Sequence, residues 1–373
     1  MHQTRYDAVV IGAGQSGLAA ARELARRELR FVVLEAGQRV GDNWRARYDS
    51  LLLYSPARYD ALPGLPFPMP GHAHPTGRQM ADYLEAYAAH HALPVRTGVT
   101  VDGLARREDG TFEVTAGDDR YVADHVVVAT GPFQRPRVPD FAARLDPGIR
   151  QVHSAEYRNP SQLQEGPVLV VGLSHSGADL AMEAATSGHR TFVSGAAHGQ
   201  LPFSVDSRRA RIAWPVLRFL ASNVLTLRTP IGRRMAPRIR RGGAPLLRYR
   251  RADLDRAGIE RHDARTVGVR DGKPELADGT VLDVANVIWC TGFRADFDWI
   301  HLPVVGEDGW PIQDRGAAAA AEGLYFLGLP FLYGFSSMLV LGAARDAAHV
   351  VDRIVRRADQ LARRPAVASE GAT

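Results

Sequence analysis

Residues 6–35 read YDAVVIGAGQSGLAAARELARRELRFVVLE, and this stretch decides the fold. Tyr6 to Ile11 is an apolar run typical of a buried strand, and it passes directly into a glycine-rich turn. A helical pattern follows from Leu18 to about Arg27, and a second apolar run occupies Phe31 to Leu34. A strand, a glycine turn, a helix and a second strand in this order predict a β-α-β unit.

The spacing of the glycines predicts what the turn binds. Gly12 allows a tight turn out of the strand, Gly14 lets the backbone approach a pyrophosphate, and Gly17 lets the helix pack closely on the sheet. Glu35 ends the second strand, where a carboxylate accepts hydrogen bonds from ribose hydroxyls. A glycine turn without a ligand is the alternative. We predict dinucleotide contacts at Gly12, Gly14, Gln15, Ser16, Gly17 and Glu35.

A second unit of the same kind begins at Val168 to Val171 and ends at Thr191 to Ser194. Its loop is Gly172-Leu173-Ser174-His175-Ser176-Gly177, in which Ser174 replaces the middle glycine. No acidic residue follows its second strand, and a carboxylate there would repel a 2′-phosphate. The two loops therefore predict FAD in the first unit and NADPH in the second. Predicted NADPH contacts are Gly172, Ser174, His175, Ser176, Gly177 and Ser194, with Arg190, Arg208 or Arg209 left open for the 2′-phosphate.

The repeated unit predicts an α/β fold with two Rossmann-like dinucleotide-binding domains, of the two-dinucleotide-binding flavoprotein type. We expect a discontinuous FAD domain, residues 1–150 and 285–373, and an NADPH domain at 151–284 with an inserted lid at about 200–245. The segment Gly328 to Gly342 is expected to return to the flavin.

Ile212 to Leu227, within this lid, is apolar but interrupted by Pro215, Arg218 and Asn223. This segment could be a helix lying on a membrane surface. The interruptions favour instead a segment that covers a substrate pocket or a subunit interface. A homodimer is left open by the sequence.

Composition excludes several classes of protein. The one cysteine, Cys290, excludes an internal disulfide and the Cys-x-x-Cys pair of disulfide reductases. The net charge of +5 comes almost entirely from arginine, and no aromatic residues interleave with the densest cluster, Arg233 to Arg241, so a nucleic-acid partner is not expected. No metal site is predicted. The absence of a long apolar run and of a signal-like N-terminus predicts a soluble, cytoplasmic protein.

The order of the motifs resembles the flavin-containing monooxygenase superfamily. The motifs are the first glycine loop, Gly41-x-x-Trp44-Arg45, Ala129-Thr130-Gly131, the second glycine loop and Cys290-Thr291-Gly292-Phe293. The chain is most similar to bacterial NAD(P)/FAD-dependent oxidoreductases close to the plant YUCCA-type enzymes. The resemblance covers nearly the whole chain, from Tyr6 to about Val355.

This resemblance implies further site residues. Trp44 and Arg45 match a segment that lies along the FAD, where a guanidinium can pair with phosphate or ribityl oxygens. Thr130-Gly131 and Thr291-Gly292 match crossovers between the two domains. Tyr54 and Ser55 occupy the segment beside the flavin C4a position and are the candidate catalytic groups.

The implied activity is NADPH-dependent monooxygenation through a flavin C4a-(hydro)peroxide. The substrate is a small organic molecule, either an amine or sulfide, or a carbonyl compound such as a 2-oxo acid. An NADPH oxidase or flavin reductase without oxygen transfer is the alternative, because the same binding motifs serve both.

Overall fold

The computed structural model describes residues 5–240, 242 and 245–363. Its strands, in chain order, are β1 Arg5–Ile11, β2 Phe31–Leu34, β3 Val95–Arg96, β4 Gly103–Arg106, β5 Phe112–Ala116, β6 Asp119–Val128, β7 Arg135–Pro136, β8 Arg150–His153, β9 Val168–Val171, β10 Thr191–Ser194, β11 Glu260–His262, β12 Thr266–Arg270, β13 Lys273–Leu276, β14 Asn286–Trp289, β15 Phe293–Arg294, β16 Gln313–Asp314, β17 Ala317–Ala318 and β18 Leu324–Phe326. Its α-helices are α1 Gln15–Arg26, α2 Asp42–Arg45, α3 Gly77–His90, α4 His175–Thr186, α5 Arg208–Phe219, α6 Pro230–Arg240, α7 Arg251–Arg256 and α8 Val340–Ala362.

The first sheet contains the N-terminal β-α-β unit. Its parallel strands stand in the order β3-β2-β1-β6-β18, and antiparallel strands extend it beyond β18 and beside β6. Strand β2 is apolar throughout, and β1 is apolar from Ala8 onward, because both faces of the sheet are covered there. Helices α1, α3 and α8 cover one face, where Leu18, Leu84 and Ile354 are fully buried.

The second sheet is built from parallel strands in the order β11-β10-β9-β14-β8. Strand β14 (Asn286–Trp289) belongs to this sheet, because it pairs with β9 on one side and β8 on the other. The last strand of the second sheet therefore ends at Trp289, whereas the predicted NADPH domain ends at residue 284. The α/β class and the two-dinucleotide-binding type are confirmed.

Two short strands connect the sheets. The chain leaves the first sheet through β7 and returns from the second through β15, and these strands pair with each other antiparallel. Arg135 on β7 also donates from Nε to Asp296, which follows β15, at 2.6 Å. The two crossovers therefore form one small ribbon between the dinucleotide units.

The expected lid leaves the second sheet after β10 and crosses to the first unit. Its helices are α5 and α6, joined by a π-helical turn at Leu220–Val224. The Leu227 N–H donates to the Tyr333 carbonyl at 2.9 Å, and the Phe335 N–H donates to the Leu225 carbonyl at 2.8 Å. The lid thus contacts the segment between β18 and α8.

Candidate functional site

The first glycine loop has a backbone that only glycine allows at two positions. Gly12 adopts φ +103°, and a Cβ there would lie 2.7 Å from the Ala129 carbonyl oxygen. A Cβ on Gly17 would lie 1.9 Å from the Gly12 carbonyl oxygen. These contacts press the start of α1 against the ends of β1 and β6, as the spacing predicted.

Gly14 is different, because nothing in the protein requires glycine there. Its backbone is extended, at φ −73° and ψ −176°, and a Cβ would meet only the Asn43 side chain, at 4.0 Å. The space over Gly14 is therefore open. It lies at the N-terminus of α1, where free N–H groups and the helix dipole favour an anion.

The hydroxyl of Ser16 adds a polar group beside this space. Ser16 is buried, and its Oγ has no hydrogen-bond partner among the described residues. Gly328 lies directly against it, since a Cβ on Gly328 would be 2.9 Å from Ser16 Oγ. The segment after β18 therefore returns to the first loop, and a buried, unpartnered hydroxyl there fits a ligand that accepts or donates a hydrogen bond.

Glu35 is fixed by backbone groups on both sides. One carboxylate oxygen accepts from the Ala13 N–H at 2.7 Å and the other from the Gly37 N–H at 2.8 Å. Each oxygen keeps a second lone pair, so the carboxylate can hold the loop and still accept a ribose hydroxyl.

The second loop repeats this geometry closely. Gly172 adopts φ +104° with its would-be Cβ 2.6 Å from the Cys290 carbonyl oxygen, and a Cβ on Gly177 would lie 1.9 Å from the Gly172 carbonyl oxygen. Ser174 takes the extended position of Gly14 and caps α4. Two loops of similar backbone geometry therefore follow β1 in the first sheet and β9 in the second.

The groups around the second loop have partners within the protein. Ser194 is buried, and its hydroxyl lies 2.7 Å from that of Thr266, so its contact with a nucleotide stays a prediction. Arg190 pairs with Glu260, whereas Arg208 and Arg209 are exposed at the start of α5. Burial lowers the pKa of His175, the first residue of α4, to about 4, so its ring is neutral at neutral pH.

Arg45 has carboxylate partners that the sequence did not indicate. Its guanidinium donates to Asp82 at 2.9 Å and to Glu85 at 2.7 Å, both on α3, and contacts Asp42 on its own helix. Three carboxylates thus surround the cation, and its contact with a cofactor stays a prediction. Trp44 is half-buried, and its Nε1 has no acceptor in the described part of the chain.

Tyr54 also has a partner that the sequence did not indicate. Its hydroxyl donates to Asp179 Oδ2 on α4 at 2.7 Å, and Tyr48 donates to the same oxygen at 2.9 Å. Asp179 is buried and its pKa is raised by desolvation, so it requires donors. Arg248 supplies a further contact, 3.4 Å from the carboxylate, with its guanidinium over the Tyr54 ring.

This cluster joins three parts of the chain: the loop after α2, helix α4 of the second unit, and the segment after the lid. The Tyr54 ring also packs on the His175 ring, with centroids 4.7 Å apart. Tyr54 therefore packs the first unit against the second loop, and its hydroxyl proton is donated to Asp179. Sequence reasoning missed Asp179 and Arg248, because nothing in their local sequence indicates a contact across the units.

Ser55 faces another buried acid. Its hydroxyl donates to Asp60 Oδ1 at 2.6 Å, while Asp60 Oδ2 is buried without a partner among the described residues. Burial raises the pKa of Asp60 to about 7. Like Tyr54, Ser55 is committed to a carboxylate, and the acid beside it is a group that can hold or release a proton near neutral pH.

The Thr-Gly segments lie at the crossovers, as the resemblance implied. Gly131 and Gly292 adopt φ +71° and +80°, and the hydroxyls of Thr130 and Thr291 bond to Gln134 and to the Arg137 carbonyl. These contacts order the ribbon and leave the threonine hydroxyls engaged.

Arg47 beside this ribbon was not predicted. Its guanidinium lies over the rings of Phe133 and Phe293, at 5.7 and 5.3 Å, and makes no ion pair or hydrogen bond in the described residues. Desolvation lowers its pKa. An arginine held between two rings without a carboxylate partner fits an anionic group.

The segment before α8 holds two fully buried serines. Ser337 Oγ accepts from the Tyr333 and Gly334 N–H groups, at 3.1 and 3.2 Å. Ser336 Oγ is buried and has no partner in the part of the chain that the structure describes. The unpartnered Ser16, Trp44 and Ser336 groups are those expected at a polar cofactor site.

Metal binding and thiol chemistry have no support among the described residues. Within the described residues, no set of three or more His, Cys, Asp or Glu side chains is arranged to hold a metal. Desolvation raises the pKa of the Cys290 thiol well above its usual range, which disfavours the reactive thiolate. None of the described helices is both long and apolar enough to span a membrane.

Comparison with known proteins agrees with this geometry. Residues 9–207 match the family profile described as pyridine nucleotide-disulphide oxidoreductase. The chain is 38% identical to an uncharacterized oxidoreductase, CzcO-like, of Geobacillus kaustophilus, over 94% of this chain and 98% of that protein. It is 30% identical to a probable indole-3-pyruvate monooxygenase, YUCCA7, of Arabidopsis thaliana, over 93% of this chain and 86% of that one.

A solved structure shows the same fold. The flavin-containing monooxygenase from Stenotrophomonas maltophilia superposes with a TM-score of 0.77 at 25% identity, covering 95% of this chain and 100% of that one. The chain belongs to the pyridine nucleotide-disulphide oxidoreductase family and, within it, to the flavin monooxygenase superfamily of oxidoreductases.

Proposed function

We propose that this protein is an NADPH-consuming flavin monooxygenase that transfers one oxygen atom from O2 to a small organic substrate. The observation that carries the proposal is the pair of glycine loops with one backbone geometry, of which only the first has a carboxylate, Glu35, fixed beside it. One loop thus suits a nucleotide with a free ribose, and the other accepts a ribose that carries a phosphate.

FAD is the cofactor of the first loop. The N–H groups of Gly14, Gln15 and Ser16 would hold its pyrophosphate, and Glu35 its ribose. The unpartnered Ser16 and Trp44 groups fit the polar remainder of the molecule. Bound FAD supplies the redox chemistry, since it takes up hydride from NADPH and, when reduced, activates O2.

NADPH is the nucleotide of the second loop. Gly172 and the N–H groups of Ser174, His175 and Ser176 would hold its pyrophosphate, because these residues begin α4. The neutral His175 ring adds a polar group there without adding a charge. Arg47, between the crossovers, is a candidate for an anionic group of this nucleotide or of the substrate.

The domain division follows the sheets. We propose a flavin domain of residues 1–149 and the chain after Trp289, and an NADPH domain between them that carries the lid. Residues 1–4 and 364–373 of the predicted flavin domain, and 241, 243 and 244 of the lid, lie outside the described residues.

The lid would keep water from the reacting atoms. Its inner side chains Ala210 and Trp214 are buried against Tyr54, Tyr59 and Phe203, which lie between the units. Exclusion of water favours oxygen transfer over release of hydrogen peroxide. Among the substrate classes open from the sequence, the similarity to a plant protein named as an indole-3-pyruvate monooxygenase favours a 2-oxo acid over an amine or a sulfide.

The oxidase alternative rests on a specific observation. Both Tyr54 and Ser55 donate their hydroxyls to buried carboxylates, so neither is a free donor for a reacting oxygen. Without another donor, O2 reduction would end in hydrogen peroxide.

The decisive experiment measures NADPH oxidised, O2 consumed and hydrogen peroxide released by the flavin-loaded protein, with panels of 2-oxo acids, sulfides and amines. A monooxygenase gives less than one peroxide per NADPH with its substrate, and one atom of ¹⁸O from ¹⁸O2 enters the product. One peroxide per NADPH with every substrate supports the oxidase instead. Failure of NADPH to reduce the flavin contradicts the assignment of the second loop.

A further inference from the structure

The outer face of the lid exposes large apolar side chains that no part of the described chain covers. Ile212, Val216 and Phe219 on α5 are 83%, 59% and 59% exposed, and Leu220 and Ile231 are 40% and 55% exposed. Soluble proteins seldom present a contiguous group of this kind without a partner for it.

Helix periodicity shows that the three exposed apolar residues of α5 form one face. Ile212, Val216 and Phe219 are spaced by four and three residues, so they lie on one side of α5. The buried Ala210 and Trp214 lie on the opposite side, since residue 212 follows 210 by about half a turn. The helix is therefore apolar on both faces, and only its inner face is used within the protein.

Arginine dominates the polar surface around this outer face. The segment from Ser207 to Arg240 contains nine arginines and no aspartate, glutamate or lysine. The whole chain carries only +5, so the remainder has a small net negative charge. The positive charge of this protein is thus concentrated on its lid. Exposed arginines of the lid are Arg208, Arg209, Arg211, Arg218, Arg228, Arg233, Arg234 and Arg238.

We propose that the outer face of the lid binds the surface of an anionic lipid membrane. Apolar side chains of an amphipathic helix enter the boundary between headgroups and acyl chains, while arginines pair with lipid phosphates. The two features of this face, exposed apolar residues and an excess of arginine, match the two components of such a surface.

Charge argues against a second copy as the partner. A symmetric dimer through this face would bring two lids of the same positive charge together. No carboxylate within Ser207 to Arg240 is available to pair across such an interface, and repulsion would oppose the apolar contact. An anionic bilayer both covers the apolar residues and supplies negative charge for the arginines.

The test uses the flavin-loaded protein and sedimentation with two kinds of vesicle, phosphatidylcholine alone and phosphatidylcholine with phosphatidylglycerol. Binding is expected to the anionic vesicles, with a marked loss as salt is raised. The double variant Ile212→Ser/Phe219→Ser should bind at least about tenfold more weakly, because two inserting side chains are lost.

Matched controls separate this face from general surface effects. Val267 and Ile312 lie outside the lid and are each 53% exposed, so the double variant Val267→Ser/Ile312→Ser removes two exposed apolar side chains away from this face. It should bind vesicles like the unchanged protein. Flavin content and the circular dichroism spectrum verify that each variant folds.

Three outcomes would overturn the proposal. One is the same vesicle binding by the Ile212→Ser/Phe219→Ser variant and by the unchanged protein. Another is no binding to anionic vesicles at low salt. The third is a concentration-dependent dimer, seen by analytical ultracentrifugation, that this variant alone abolishes, which would assign the face to a second copy.

Discussion

The open position at Gly14 allows cofactor binding to be perturbed without perturbing the fold. The backbone there is extended and sterically ordinary for any residue, and its would-be Cβ meets only Asn43 at 4.0 Å. Gly14→Val should therefore fold normally. Gly17→Val should not, because its Cβ would lie 1.9 Å from a carbonyl oxygen.

The valine would occupy the space that the FAD pyrophosphate needs in front of α1. A pyrophosphate displaced from the loop loses one or two hydrogen bonds from N–H groups to a charged acceptor. Each is worth about 1.5–3 kcal/mol, so we expect a loss of about 1.5–6 kcal/mol. This corresponds to a dissociation constant for FAD weaker by at least roughly tenfold.

The assay measures the FAD bound per chain from the flavin absorbance, and the affinity of the apoprotein by titration with FAD. Thermal unfolding of both apoproteins tests the fold, and their midpoints should agree within about 2 °C, since the substitution lies on a surface that is open in the protein. The control is Gly268→Val in β12, where the would-be Cβ meets only Glu275 at 3.8 Å.

The control should retain its FAD. The reasoning is refuted if Gly14→Val binds FAD with an affinity within about threefold of the unchanged protein while remaining folded. In that case the space over Gly14 is not where the pyrophosphate lies.

Three further predictions follow from the contacts of the site. Tyr54→Phe removes one of the two tyrosine hydrogen bonds to Asp179. We therefore expect a loss of about 1–2 kcal/mol in unfolding free energy and a severalfold higher KM for NADPH, with normal FAD content. An unchanged KM with a lower yield of product per NADPH would place Tyr54 at the flavin instead. The pKa of Asp60 is raised to about 7, above that of the unfolded chain, so the protein should lose stability as pH rises from about 4 towards about 7, by up to about 4 kcal/mol. Asp60→Asn should abolish this dependence in urea unfolding at pH 5 and pH 8, and an equal slope in both proteins would show that Asp60 titrates normally. The absence of a carboxylate at the end of β10 predicts a kcat/KM for NADPH at least about tenfold above that for NADH, and a ratio near one would mean that the second loop does not distinguish the 2′-phosphate.

The backbone of the site could be predicted from the sequence because its causes are local. Gly12 and Gly172 are required by a positive φ and a nearby carbonyl, and Gly17 and Gly177 by close helix packing. Such requirements depend on a few neighbouring residues, so a spacing of glycines after an apolar run is enough to indicate them.

Helix ends were less predictable. Helix α1 begins at Gln15 and not at Leu18, because the glycine loop itself caps it and its first turn faces the ligand space. Helix α8 begins at Val340, where its first turn packs on the Ser336 segment. Terminal turns depend on what lies next to them in space.

Side-chain partners could not be predicted at all. Tyr54 and Asp179 are 125 residues apart, and Arg45 meets carboxylates that lie on α3. Tyr54 and Arg45 are residue types that suit a cofactor contact. Only the fold shows that their hydrogen bonds go to buried or neighbouring carboxylates. The resemblance to a family indicates which segment lies near the cofactor, but it does not give the direction of each side chain.

Under the proposed function FAD stays bound while NADPH exchanges, and the two loops differ in a way that suits this division. In the first, Glu35 ties the loop to the next strand through the Ala13 and Gly37 N–H groups, so the ribose acceptor is held in place before FAD arrives. In the second, the Ser194 hydroxyl bonds to Thr266, and Gly195, which has no side chain, follows β10 where Glu35 follows β2. A site with fewer preorganised contacts binds more weakly and releases faster. An enzyme that must take up NADPH and discharge NADP⁺ in every turnover requires that weaker second site, whereas a resident flavin requires the first.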